Sequence, residues 1–439
     1  MRGFVQVRTT GVYELRPGYG GSTDNIMEIE GREVYRREPG REAVHTHIKL
    51  TGGRKVPFRI TYLTDQANGP GWTARVDIPG TLATVVQQDG KFPYLIDDQS
   101  NWIDRKDVWY RGVVTATADQ WRSVGCGAGD NSIGPELGFG HIVGDYHEET
   151  VLILKASQGN RSLGWDYLPP GSERFEHDGF AYAGYRNSPA RWEKGTKPRP
   201  INWYAGKQYD DCFGAAHEVL ENFDTEFPHW KGRGYEIAGF VWLQGFNDMV
   251  SRDVYPQLPK DSEGNRIAEY SELMGDFIRD VRIALDAPQM PFVTGVMGVG
   301  GDDASKGYEA SLEFRKAMAA PAALPEFKGD VVAIPTSPFR DEPFAAIQIR
   351  YEKVRQMAYL LRTKNRNAAN ADGSMPKDEQ RACLKEYETK LVTPEEVALR
   401  QRGASNAGYH YLGCVRAFAP MGKAFATAIL EMRSQREQR

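Results

Sequence analysis

The chain has 439 residues, of which 40% are hydrophobic and 26% charged, with a formal net charge of −4. That length supports two or three domains around a large core, and the composition is that of an ordinary globular chain. No long basic stripe argues for nucleic acid as a partner, and no apolar run reaches the length of a membrane span, so neither partner is expected.

The opening stretch, Met1-Arg2-Gly3-Phe4-Val5-Gln6-Val7, lacks the apolar core of a signal peptide. The expectation is either a cytoplasmic protein or a chain that begins downstream of a lost leader. Short strand candidates follow: Val12 to Leu15, Asn25 to Ile29, Val34 to Arg36, His45 to Leu50 and Val56 to Leu63. Most alternate apolar with polar residues, and turn signals such as Gly31-Arg32 and Gly52-Gly53 separate them. This spacing predicts a small antiparallel β-sandwich-like unit over residues 1–79. His45 and His47 would share one strand face, where a solvated face is a plainer reading than a metal pair without a third ligand.

From about Gly80 the texture changes. Thr150 to Leu154 reads as a buried strand and Asp210 to Phe223 as a helix. Phe240-Val241-Trp242-Leu243 is an apolar strand that ends abruptly in Gln244-Gly245-Phe246-Asn247-Asp248. Helices are expected over Tyr270 to Leu285, Tyr308 to Met318, Phe344 to Leu361 and Val415 to Met432, and strands over Pro291 to Val296 and Asp330 to Ile334. Strand–helix alternation implies a parallel sheet with helices on both faces over residues 80–439. Thr363 to Ser405 is polar and reads as a surface insertion. Cys126, Cys212, Cys383 and Cys414 show no C-x-x-C spacing, which disfavours a zinc knuckle and leaves one or two disulfides open.

Three places carry candidate chemistry. Leu154 to Ser162 lies at the end of a strand, and Gly159 within it would let a backbone N–H approach a ligand oxygen. Gln244 and Asn247 sit where the carboxyl edge of an open α/β sheet binds ligands, and either amide could face a developing oxyanion. The plainer readings are a strand-to-loop turn and a polar turn after a buried strand. His410 lies in the Gly-flanked loop Asn406 to Gly413, late in the chain, where a general base would suit a Ser–His hydrolase. A structural histidine is the plainer alternative.

Several blocks resemble known families. Thr10 to Tyr13, Ile29 to Val34, and Leu50 to Gly53 followed by Val56 to Ile60 resemble part of the protective-antigen-type β-sandwich, a module that often binds carbohydrate. Ile133 to His141, Lys155 to Leu163, Gly239 to Asp248, Tyr409 to Gly413 and Met421 to Ala424 resemble the sialate O-acetylesterase-like branch of the SGNH hydrolases, near carbohydrate esterase family six. This second resemblance covers roughly Gly80 to Met432. It implies a flavodoxin-like three-layer parallel sheet, hydrolysis of acetyl esters on sugars, and a secreted or periplasmic location. It implies an acetylated carbohydrate as partner and neither cofactor nor metal. A serine would attack the ester, His410 would take its proton, and Gly159 with Gln244 or Asn247 would hold the oxyanion. Arg161, Trp242 and Asp248 would contact substrate.

The chain departs from that pattern at the nucleophile. No Gly-Gln-Ser-Asn block is present. Asp65-Gln66-Ala67-Asn68 carries Ala in place of Ser, and Asp97-Asp98-Gln99-Ser100-Asn101 has the serine without the Gly, so Ser100 is the candidate nucleophile with the weakest support. A block upstream of Met1 is a third reading. The residue three before His410 is Ala407 rather than Asp, which leaves the acid of the triad open, with Asp248 a candidate by position. The expectation is a weak or inactive acetylesterase. Its rivals are a non-catalytic carbohydrate-binding protein on a hydrolase fold and a purely structural α/β protein.

Overall fold

The structure is a computed structural model. It describes residues 2–438 except 7–8, 14–23, 31, 38–43, 46, 64–73, 76–81, 88–89, 117, 125, 128–131, 252–253, 257–265, 302–308 and 404–407; at some further positions, 401–403 and 408–410 among them, only the backbone is described. The chain divides into two compact units, Met1–Gly69 and Pro70–Arg439. The Asp65 to Asn68 fragment lies outside the described residues.

In the first unit the strands are β1 (Arg2–Gln6), β2 (Gly11–Tyr13), β3 (Asp24–Ile29), β4 (Arg32–Arg37), β5 (Val44–His45), β6 (Ile48–Leu50) and β7 (Lys55–Leu63). They form an antiparallel sheet in the order β1-β7-β3-β4-β5 and a β2–β6 pair. Gly53 takes a positive φ of 78° in the turn from β6 to β7, a conformation that costs glycine little. Ile29, Val34, Tyr35, Leu50 and Val56 make the unit's buried core.

The second unit is mixed α/β. It runs β8 (Ala74–Arg75), α1 (Leu82–Gln87), β9 (Arg105–Val114), β10 (Asp119–Arg122), β11 (Ser132–Ile133), α2 (Glu136–Tyr146), β12 (Val151–Ser157), β13 (Phe175–His177), β14 (Phe180–Tyr182), β15 (Arg191–Glu193), α3 (Lys207–Glu221) and α4 (Phe223–Glu226). It continues through β16 (Phe240–Trp242), α5 (Phe246–Val250), α6 (Arg266–Ala284), β17 (Phe292–Val296), α7 (Glu309–Ala319), β18 (Val331–Pro335), α8 (Glu342–Arg362), α9 (Lys377–Leu391), α10 (Pro394–Gly403) and α11 (Val415–Glu437). β12 pairs parallel to β9, which pairs antiparallel to β10. β16, β17 and β18 form a separate parallel sheet. The expected parallel strands are therefore present, but in two sheets rather than in one continuous layer.

β17 shows why its sequence is continuously apolar. Phe292 packs into a cluster with Phe277 of α6 and Phe314 of α7, while its neighbour Val293 packs into a second cluster with Phe418 and Phe425 of α11. Successive side chains of a strand point to opposite faces, so helices on both faces require apolar residues at every position. Residues 363–403 fold as turns followed by α9 and α10. Thr393 and Glu396 cap α10 reciprocally, Glu396 N donating to Thr393 Oγ1 at 3.3 Å and Thr393 N to Glu396 Oε2 at 3.0 Å. Arg350 of α8 holds α10 through Glu396 at 2.6 Å.

Candidate functional site

The loop that follows β12 and the turn that follows β16 are bonded to each other. Asn247 Nδ2 donates to Asn160 Oδ1 at 3.1 Å, and Gln244 Nε2 donates to the carbonyl of Arg161 at 2.9 Å. The carboxyl ends of the two strands therefore lie side by side. Gly159 is exposed, and a Cβ placed on it would meet open space. Asn160 takes a positive φ of 63°, a conformation that asparagine tolerates better than most residues.

Asp248 lies beneath this edge and is fully buried. Its carboxyl accepts from the backbone of Leu163 (2.9 Å) and Gly164 (3.0 Å), from Tyr255 Oη (2.5 Å) and from Gln244 Nε2 (2.5 Å). Burial pushes its pKa above the ordinary carboxylate value, and these hydrogen bonds oppose that rise without cancelling it. Asp248 thus ties the β12 loop to α5, and a substrate would have to displace these donors to reach it. Both N–H groups of Gln244 are engaged inward, and its Oε1 is buried without a partner. One N–H of Asn247 remains beyond its bond to Asn160, so Asn247 is the side-chain amide better placed to serve an oxyanion.

Arg161 forms one wall. Its guanidinium lies 4.1 Å from the Trp203 ring centre and pairs with Asp166 at 3.1 Å, and Asp166 also accepts from Ser162 N at 2.8 Å. Trp242 is buried in the core, 4.3 Å from Phe277 and 5.0 Å from Tyr167 between ring centres. Gly159, Asn160, Arg161, Trp242, Gln244 and Asn247 all line one cavity of about 1850 Å³ between β12 and β16.

His410 lies in a 3-10 turn, Gly408–Gly413, of which the backbone alone is described at this residue. The next residue, Tyr411, accepts from Gly298 N at 2.6 Å through its hydroxyl and bonds to Thr336 Oγ1. Gly298 follows β17 and Thr336 follows β18, so the His410 turn sits at the same carboxyl edge as Gly159 and Asn247. Ser100 lies elsewhere, exposed in a turn in which its N–H donates to the Asp97 carbonyl at 2.9 Å. Asp97 Oδ1 accepts from Gln99 N at 2.9 Å and Asn101 N at 2.8 Å, and the Asn101 bonds hold its carboxyl below the usual range. Ser100 does not line the cavity.

Two residues of the site escaped the sequence reading. Asn160 carried a signal in its place beside Gly159. Ser157, whose buried hydroxyl has no partner at the carboxyl end of β12, carried none. All four cysteines are free. Among the described residues, no group of three or more His, Cys, Asp or Glu side chains could hold a metal, and no helix is long and apolar enough to cross a membrane.

No protein family's sequence profile matches the chain, and no curated protein matches it in sequence. Among solved structures it is similar to a carbohydrate acetylesterase from Xanthomonas citri, with 11% identity, a TM-score of 0.33, and coverage of 75% of this chain and 65% of that one. The chain thus spans about two thirds of the length of that enzyme. A protein from Arabidopsis thaliana matches at 15% identity and a TM-score of 0.29, over 54% of this chain and 75% of its own. A carbohydrate esterase family 2 enzyme with a carbohydrate-binding domain, from Corynascus thermopiles (Myceliophthora fergusii), matches at 11% identity and a TM-score of 0.24, over 76% and 89%.

Proposed function

We propose that the carboxyl edge of the second unit is the acyl-binding half of a carbohydrate O-acetylesterase. The observation that carries this reading is the Asn160–Asn247 bond, which joins two strand-end loops and leaves an amide N–H of Asn247 beside the open Gly159 backbone. Two such donors aimed at one point stabilise the oxyanion of an ester undergoing attack. His410, on the same edge, is the general base of this reading. Acetylated sugar is the substrate class, and the first unit is a candidate carbohydrate-binding module.

The nucleophile is the weak member. Ser100 is exposed and bonded within its own turn, so these residues alone should hydrolyse esters slowly. Losing the serine of a Ser–His hydrolase costs on the order of 10⁴–10⁶ in rate, while the oxyanion donors retain part of the acceleration. A second reading, a non-catalytic binder of acylated sugar, is favoured by the inward commitment of both Gln244 N–H groups.

Hydrolysis of an aryl acetate by the purified chain tests this. The expected result is a slow parent rate that Ser100→Ala leaves unchanged and Asn247→Ala lowers by at least about tenfold. A rate indifferent to Asn247→Ala and His410→Ala contradicts an esterase site and leaves the binder. A fast parent silenced by Ser100→Ala makes Ser100 the nucleophile and contradicts the expected indifference to that substitution.

A further inference from the structure

The cavity between β12 and β16 has a charged corner that the proposed acyl site does not use. Glu136, the first residue of α2, pairs there with Lys155 of β12, and Ser157 follows two positions further along the same strand. Alternate residues of a strand face the same way, so Lys155 and Ser157 both point toward α2, about 6.6 Å apart along the strand. The Glu136 side chain is only 11% exposed and that of Lys155 29%. Gly134 leaves room for the carboxylate, since a Cβ there would run into Glu136 Oε2. Burial disfavours the charge on Glu136, but Lys155 and then Arg122 outweigh it and hold the carboxyl below its ordinary value, so the pair is ionised. An ion pair taken out of water adds little stability over a well-packed apolar pair. Stability alone therefore gives no reason for these charges.

We infer that this corner is a sugar-ring subsite, which takes two neighbouring hydroxyls of a neutral pyranose beside the acyl position. The chemistry of the corner selects such a ligand. Lys155 has N–H groups beyond the one given to Glu136, and the carboxylate has lone pairs beyond those that Lys155 occupies. Ser157 Oγ is buried without a partner and can donate or accept. A hydroxyl does both, so neighbouring hydroxyls satisfy a donor and an acceptor placed side by side. A carboxylate or phosphate would meet Glu136. A cation would meet Lys155, with Arg122 behind it, whose Nε donates to the Glu136 carbonyl at 3.2 Å. Phe139, one turn along α2 from Glu136, lines the same cavity and supplies apolar surface for the C–H face of a sugar.

Gly159 lies two residues beyond Ser157. A ring held at the corner would present an ester on a nearby carbon to the Gly159 and Asn247 donors. Only this last step rests on the esterase reading; the corner itself stands on the ion pair, the unpartnered serine and the cavity.

Calorimetric titration of the full chain with xylobiose, a neutral disaccharide without acetyl groups, tests the subsite, with permethylated xylobiose as control. Xylobiose should bind, and the permethylated sugar, which has no O–H to donate, should not. Ser157→Ala removes a hydroxyl without a partner in the free chain, so it should leave the melting temperature unchanged or raise it while weakening xylobiose binding by about fivefold. Lys155→Met should weaken it by at least about tenfold; if that variant fails to fold, Ser157→Ala decides alone. No xylobiose binding, equal binding of the permethylated sugar, or an affinity unchanged by Ser157→Ala would overturn the inference. Sugar bound elsewhere on the chain would give that last result. Asn247→Ala separates the subsite from the esterase reading: it should spare xylobiose binding while lowering aryl acetate turnover. Turnover indifferent to Asn247→Ala contradicts the esterase site and leaves the subsite standing, whereas xylobiose binding abolished by Asn247→Ala would overturn a separate subsite.

Discussion

Four donors meet at Asp248, and a single acceptor satisfies them all. Removing a buried acceptor costs far more than a surface bond, because each donor loses its partner without regaining water. Asp248→Ala should therefore lower stability by about 3 kcal/mol or more, read by urea unfolding, and a loss under about 1 kcal/mol would contradict the clamp. His141 makes a second test. Burial, helped by Arg105 and Arg122, holds its imidazole down at about 4, while Asp145 and Asp107 only partly oppose the shift. The folded state therefore keeps His141 neutral while the unfolded chain takes up a proton near the ordinary value of about 6.5. Stability is present above that value and falls as pH drops toward 4, by up to about 3 kcal/mol. His141→Gln should flatten this part of the pH–stability curve, and an unchanged slope would rule the histidine out. At this scale the sequence placed polar residues correctly at the ends of apolar strands. It could not assign their partners: Gln244 and the Arg161 carbonyl are 83 residues apart, and only the fold shows that the amide turns inward.

α2 and α11 cross without room for side chains. A Cβ on Gly138 would run into the carbonyl oxygen of Ala419, and one on Gly422 into that of Pro135. Both obstacles are backbone, which does not swing aside. Gly138→Ala and Gly422→Ala should each destabilise by about 1–3 kcal/mol, measurable as a lowered melting temperature; a neutral effect in both would mean the helices are further apart. Elements with a strong period were legible from the sequence: the expected helix over Tyr270 to Leu285 is α6, Arg266–Ala284, and the expected strand over Pro291 to Val296 is β17, Phe292–Val296. β9 was missed, since Arg105, Lys106, Asp107 and Arg111 break its apolar pattern. These charges are tolerated because partners lie beside them: Arg105 pairs with Asp107 and with Asp145 at 2.5 Å each, and Arg111 with Asp119 and with Glu226, the latter at 2.6 Å. The 363–405 stretch read as a polar insertion because α9 buries no residue fully, so amphipathic periodicity was faint there.

Across the second unit, the parallel strands stand in two groups with a strand-shaped space between them and a polar edge above it. Strand–helix alternation made the α/β class legible, whereas the gap was not, since a run of residues does not show which strand edge stays free. That polar edge is the proposed site for an acylated sugar. Amide correlation spectra of the labelled chain, titrated with an acetylated disaccharide and with the same sugar after deacetylation, test this most directly. The Gly159 backbone amide and the Asn247 side-chain amide should shift with the acetylated sugar and not with the deacetylated one. Equal shifts with both sugars, or no shift at either amide, would contradict it.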